Sequence, residues 1–130
     1  MRRTLVVGCA LVALIGTGAA LAHDARYRTS SSFGLATGPD AALGSISSSN
    51  AGCVKGRTVK LHMVRGGRDA LVGRDRSGVP SGNGDGYWTV QANLRSGKRY
   101  YAKVQKKNIG PRGHEHICRG YRTSAVPFTF

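Results

Sequence analysis

The sequence predicts an all-β protein: an antiparallel β-sandwich of six or seven short strands closed by one disulfide. Three observations lead there. Downstream of residue 22 no long window carries the i, i+3, i+4, i+7 apolar spacing of an amphipathic helix. Short runs with period-two alternation recur instead. Nineteen glycines punctuate the chain too often for long helices.

The N-terminal stretch must be set aside first. Arg2 and Arg3 form a positive n-region, Leu5 to Leu14 extending through Ile15 form an apolar run broken by Gly8, and Ala20-Leu21-Ala22 is an A-x-A cleavage site. Residues 1–22 therefore read as a signal peptide cleaved after Ala22, leaving His23 to Phe130, 108 residues. The apolar run is short for a membrane span and no stop-transfer pattern follows it, so no transmembrane span is expected in the mature chain. Cys9 precedes most of the apolar run, the wrong place for a lipidated cysteine. The Arg2-Arg3 pair leaves a twin-arginine route open beside ordinary export. The expected location is extracellular or periplasmic.

Cys53 and Cys118 then remain. Two thiols in one small exported domain are expected to pair. They stand 65 residues apart, and closing such a loop contributes roughly 4 kcal/mol on the chain-entropy account. The mature part also carries 18 Lys and Arg against 6 Asp and Glu, a balance of +12. That charge favours anionic partners, either an anionic polymer or an acidic glycan of the cell envelope or surroundings; nucleic acid is not expected outside the cell. Simple solubility is the plainer alternative.

The strands follow in order. Residues 23–42 form an N-terminal segment, loose to about Arg26, with a first strand available within Tyr27 to Leu35. The sandwich proper spans 43–130. Leu43 to Ser48 is a short strand. Arg57 to Arg65 is the clearest one, with Val59, Leu61 and Met63 inward and Thr58, Lys60 and His62 outward. Ala70 to Arg74 is next. The turn-rich Arg76 to Gly86, with Asn83-Gly84-Asp85-Gly86, connects it to Tyr87 to Ala92, which puts Trp88 in the core. After a turn at Leu94 to Gly97, Lys98 to Gln105 points Tyr100, Ala102 and Val104 inward and Tyr101, Lys103 and Gln105 outward. Lys106 to Gly120 reads as a loop. Ala125 to Phe130 closes the chain with Val126, Phe128 and Phe130 on one face, and Pro127 assigns it to an edge.

Taken together, Arg57-Thr-Val-Lys-Leu, Val72-Gly-Arg-Asp75, Gly84-Asp-Gly-Tyr-Trp-Thr-Val90, Leu94-Arg-Ser-Gly97 and Tyr100-Tyr-Ala-Lys-Val104 resemble carboxypeptidase regulatory-like domains. These are transthyretin-like (prealbumin-like) sandwiches within the wider immunoglobulin-like group, with a carbohydrate-binding-like fold. The resemblance covers about Leu43 to Phe130; Ser96 stands where the family commonly has proline. It implies a non-catalytic module with no catalytic residues to carry over. Collagen-adhesin B-type relatives form internal Lys–Asn bonds assisted by an acid; Glu115, the only glutamate here, falls in a loop, so that crosslink is not expected.

The residues support the same reading. There is no G-x-S-x-G elbow, no phosphate loop in a strand-to-helix context and no supported carboxylate pair, so no enzyme and no cofactor are expected. Asn83 to Gly86 with Asp75 lacks the spaced acids of a calcium loop. The candidate binding surface is the outward one: Lys60 and His62 on one strand, Tyr101 and Lys103 on another, Tyr87 beside them, and Lys106, Lys107 and Arg112 extending the basic cluster. Aromatic rings there would stack on sugars and cations would attract anions; an ordinary solvated face is the alternative. His23, His114 and His116 form a candidate zinc or copper set. His114, His116 and Cys118 would share one side of an extended chain, but Cys118 is expected in the disulfide. His23, as the mature N-terminus, would offer its amine and its ring. Two further roles therefore stand beside the binding module: a small copper or zinc carrier, and an accessory acting beside a secreted hydrolase.

Overall fold

The computed structural model describes residues 23–36 and 40–130; the segment read as a signal peptide lies outside the described residues. The chain is all-β. Its strands are β1 (Ala25–Tyr27), β2 (Thr29–Ser31), β3 (Gly34–Ala36), β4 (Ala41–Ser48), β5 (Thr58–Met63), β6 (Ala70–Arg76), β7 (Gly86–Gln91), β8 (Lys98–Val104), β9 (Lys107–Asn108), β10 (His116–Cys118), β11 (Tyr121–Arg122) and β12 (Val126–Phe128). One 3-10 turn, Ala51–Cys53, is capped by the Asn50 side chain accepting from the Gly52 N–H. No helix among the described residues is long and apolar enough to cross a membrane.

Two sheets supply the core. One runs β11-β8-β5-β6, with β12 also paired to β8; the other runs β2-β4-β3, with β7 on the far side of β4. All their pairings are antiparallel. Alternation on each strand decides what is buried: Val59, Leu61 and Met63 on β5, Tyr100, Ala102 and Val104 on β8, and Phe128 on β12 meet Ala42, Ile46, Trp88 and Val90 from the other sheet. Trp88 has its Nε1 donating to the Ser31 hydroxyl at 3.2 Å and its ring stacked against Phe33. Gly44 lies opposite Trp88, and a Cβ there would come within 2.6 Å of the indole; the close approach requires glycine. The turn before β8 places Gly97 at φ 78° and is braced by the Tyr100 hydroxyl, which accepts from the Arg95 N–H at 2.7 Å.

The sequence-predicted strands are present, but the described residues hold twelve strands where six or seven were expected: β11 falls in a stretch given no strand, and two other stretches depart from the expectation. The stretch read as a loop, Lys106 to Gly120, contains β9 and β10. The stretch read as a loose tail contains the start of β1, which pairs in parallel with β10 through Ala25↔His116, Arg26↔Ile117 and Tyr27↔Cys118. These strands form a third, three-stranded sheet, β1-β10-β9. Neither β1 nor β10 carries an alternating pattern long enough to read in isolation; each is defined by its distant partner. Phe130, expected on the inward face, is 82% exposed: β12 ends at Phe128, and the Phe130 ring lies beyond it with its centroid 5.4 Å from that of Phe128.

Cys53 and Cys118 are joined, and both are fully buried. The bond ties the 3-10 turn before β5 to β10. Beside it lies Arg57, also fully buried. Its guanidinium has no carboxylate partner among the described residues. Nε and Nη2 donate to the Gln105 carbonyl at 3.1 and 2.6 Å, Nη2 also to the Arg119 carbonyl at 2.8 Å, and Nη1 to the Cys53 carbonyl at 2.7 Å and the Thr29 hydroxyl at 3.1 Å. All five donors are satisfied. Burial pulls its pKa below the ordinary arginine value, yet a guanidinium remains charged at neutral pH. Ser77 fixes the backbone of the same residue, its hydroxyl accepting from the Arg57 N–H at 2.9 Å and donating to the Val54 carbonyl at 2.6 Å.

Replacing Arg57 by Met should lower unfolding free energy by at least ~3 kcal/mol, because one buried and two part-buried carbonyls lose their donors. Arg57→Lys should fall between Met and the natural residue, since an ammonium brings three donors instead of a planar fork of five. Urea titration reads both. A Met variant within ~1 kcal/mol of the natural protein would mean the carbonyls are hydrated instead, and would remove Arg57 from its structural role.

Candidate anion-binding face

The outward face of the β11-β8-β5-β6 sheet carries a row of cations that follows from strand register. Arg122 is opposite Lys103, Lys103 is opposite Lys60, and Lys60 is opposite Arg74. Residues directly opposite one another share a face, so the four cations lie side by side across four adjacent strands. At the usual interstrand spacing the row is about 15 Å long. Arg76 stands opposite Thr58 one step further along the same face.

The next step along the strands pairs His62 with Tyr101. The imidazole stacks on the phenol ring with centroids 5.2 Å apart and 7° between planes. The guanidinium carbon of Arg122 sits 3.9 Å from the centroid of the same ring. Tyr101 points outward but is only 5% exposed under these neighbours. Its hydroxyl donates to Asp69 Oδ2 at 2.8 Å, and the Arg65 N–H donates to Asp69 Oδ1 at 3.1 Å, so the β5–β6 connection folds back onto the sheet. Arg122 Nη2 reaches Asp69 Oδ2 at 4.0 Å, the one ion pair among the described residues.

These contacts set the titration of the cluster. The Arg65 N–H first, then the Tyr101 hydroxyl, hold the Asp69 carboxyl below its ordinary value. Tyr101 is raised, by burial and by donating to Asp69. Burial lowers His62, helped by the positive charge of Lys103 and then of Lys60 and Arg122, against the opposing pull of Asp69. His62 Nε2 is buried without a hydrogen-bond partner. The imidazole is therefore neutral at pH 7, and the aromatic pair forms an uncharged shelf beside the cation row.

The carboxylates explain why the cations stay uncompensated. Asp40 accepts from the Leu94 N–H, Asp75 from the Thr89 N–H, Asp24 from the Glu115 N–H, and Asp85 from the Ser47 hydroxyl. Asp69 accepts from Arg65 and Tyr101. Every aspartate is thus held by a backbone or hydroxyl donor at a turn or sheet margin, and Arg122 alone draws on one.

The sequence-predicted binding residues divide accordingly. Lys60, His62, Tyr101 and Lys103 come together as expected. Lys106 lies beside them, lining with Lys103, Tyr121 and Arg122 a groove of about 480 Å³. Tyr87 does not join them. It stands opposite Ser45 on the outer face of the other sheet, 53% exposed, its hydroxyl accepting from the Asn83 amide. Lys107 belongs to β9 and donates to the Lys55 carbonyl at 3.0 Å. Arg74, Arg122 and Asp69 were missing from the predicted set. Period-two alternation from Lys60 through its neighbours could have found Arg74; Arg122 required the β11–β8 pairing. Of the three histidines, His23 and His116 approach one another, and no cluster of three His, Cys, Asp or Glu able to hold a metal occurs among the described residues.

No protein-family model, curated protein or solved structure matches the chain.

The His62 ring should titrate below ~6.5 by NMR, and Asp69→Asn should move it lower still by removing the one neighbour that raises it. A depressed histidine binds fewer protons in the native than in the unfolded chain between the two pKa values. Its contribution to stability is thus complete above ~6.5 and declines as pH falls through the lower native value. A His62 midpoint above 6.5 would contradict the burial described here.

Proposed function

We propose that the mature protein is an exported, non-enzymatic binding module whose ligand is an anionic polymer or acidic glycan of the envelope or surroundings, taken up on the outward face of the β11-β8-β5-β6 sheet. The carrying observation is the row Arg122–Lys103–Lys60–Arg74, held in register with no acid among its cross-strand partners. Four cations at strand spacing suit a repeating charge better than a single compact anion. The neutral His62–Tyr101 shelf beside them offers a ring face of the kind that sugars stack upon. Lys106 and the adjoining groove extend the positive surface along the end of β8 beside β11.

Export through the N-terminal segment supplies the compartment, and the buried disulfide suits an oxidising one. The motif resemblance to carboxypeptidase regulatory-like domains supports a module that binds and does not catalyse.

Binding of the mature protein to an acidic polysaccharide, read by isothermal titration or a polyanion column, should weaken steeply with salt, since exposed charges are screened over ~10 Å at 0.1 M. The double variant Lys60→Gln/Lys103→Gln should lose at least about tenfold in affinity, roughly 1.4 kcal/mol. The same variant should melt about 1–4 °C higher, because each lysine faces like charge across the sheet. Loss of binding together with gained stability marks a functional surface. Unchanged, salt-independent binding would reject the charged row as the site.

A further inference from the structure

The parallel pairing of β1 with β10 brings together two histidines 93 positions apart in sequence. Ala25 is opposite His116, and the His23 ring, two residues ahead, lies 5.4 Å from the His116 ring between centroids, tilted by 59°. Tyr27, on β1, flanks His116 at 6.4 Å between ring centroids. The approach is fixed by three anchors. The Ala25 N–H donates to the Glu115 carbonyl at 2.9 Å, the Glu115 N–H donates to Asp24 Oδ1 at 3.3 Å, and the β10 end is clamped by Cys118 in the disulfide. The His116 backbone is itself held by Asn108, whose side chain accepts from its N–H at 3.1 Å.

Two imidazoles sharing one metal through nitrogens at about 2.0 Å must keep their centroids within roughly 6 Å. The observed 5.4 Å fits that limit. Two rings alone make a weak site. A third donor arises if cleavage falls after Ala22, because the new amino terminus is then on His23 itself. Its amine and its ring nitrogen form a chelate on one residue, with the His116 ring supplying a third nitrogen. His23 is exposed and His116 partly so, leaving the position open to an ion from solvent.

We propose that the mature protein binds one copper(II) ion through the His23 amine, the His23 imidazole and the His116 imidazole. A set of three nitrogen donors with open positions favours copper(II) over other divalent first-row metals. Cys53 and Cys118 are both in the disulfide, so no thiolate competes for the ion. His114, although near in sequence, is not needed. The site lies on the three-stranded sheet, away from the cation row on β11-β8-β5-β6, and copper binding is independent of anion binding there. It rests only on the export and cleavage reading given above.

The test uses protein secreted with its own leader. Intact-mass and N-terminal sequencing fix the first residue, and copper(II) titration followed by electron paramagnetic resonance counts bound nitrogens. One ion per chain and a three-nitrogen signal are expected. His116→Gln should lower affinity at least tenfold and remove one nitrogen. His23→Gln should lose at least as much, since the ring nitrogen leaves the chelate while the pairing of β1 with β10 is untouched. His114→Gln should bind as the natural protein does, and zinc should bind the natural protein at least tenfold more weakly. The proposal is overturned by a mature chain that does not begin at His23, by His116→Gln binding copper unchanged in a protein that keeps its native circular dichroism, or by loss of binding in His114→Gln. Anion binding measured on the same samples keeps this outcome separate from the function proposed for the sheet face.

Discussion

The structure depends on a charge with no counter-charge. Arg57 sits fully buried and is solvated by oxygen atoms drawn from four parts of the chain: the 3-10 turn at Cys53, β2 at Thr29, the end of β8 at Gln105, and the residue after Cys118 at Arg119. A guanidinium leaving water loses strong hydration, and only a full set of well-placed acceptors replaces it. The acceptors here are mostly carbonyls that strand pairing does not use. The disulfide and the arginine therefore act on one junction: the sulfur bond holds the Cys53 and Cys118 segments at a Cα separation of 5.4 Å, and the guanidinium satisfies the backbone that this approach would otherwise leave unpaired. Each requires the other. Without the covalent link the acceptors would disperse, and without the donors the link would enclose orphaned carbonyls.

This junction is also where sequence reasoning was least informative. The alternation in Thr58–Met63, Gly86–Gln91 and Lys98–Val104 marked β5, β7 and β8, because each buries one whole face against the opposite sheet and so repeats with period two. Cys53 and Cys118 were paired by count and compartment. Arg57, by contrast, read as the polar start of a strand. Nothing local distinguishes a buried arginine from a surface one; the difference lies in carbonyls 48 and 62 positions away. The same limit applies to β1 and β10, which pair across about 90 positions of sequence beside the disulfide at Cys118.

The candidate face was half legible for a related reason. Lys60 with His62 and Tyr101 with Lys103 follow from alternation on two strands. Which residues extend the row depends on which strands flank them, and on register, which no local pattern supplies. Tyr87 was grouped with them because all were outward-facing aromatics or cations; the sheets have two outer faces, and strand order puts Tyr87 on the other. The aspartates show a further constraint. Each is held at a turn or margin where a backbone or hydroxyl group needs an acceptor, as Asp75 is for the Thr89 N–H between β6 and β7. With the aspartates committed to local structure, little acid is left to neutralise the surplus of cations.

A row of like charges across a sheet costs stability, so something must keep it from relaxing. The opposite faces of the same strands provide the restraint. Val59, Leu61, Ala102 and Val104 are fully or almost fully buried, and sliding β5 past β8 by one residue to separate Lys60 from Lys103 would turn those side chains outward. At one end, the contact of Arg122 with Tyr101 and Asp69 fixes the outermost cation. The repulsion is thus held in place by the core. Under the proposed function, a polyanion meeting this face would find its counter-charges already positioned and would lose little to reorganisation, which is the condition under which exposed charges contribute most to binding.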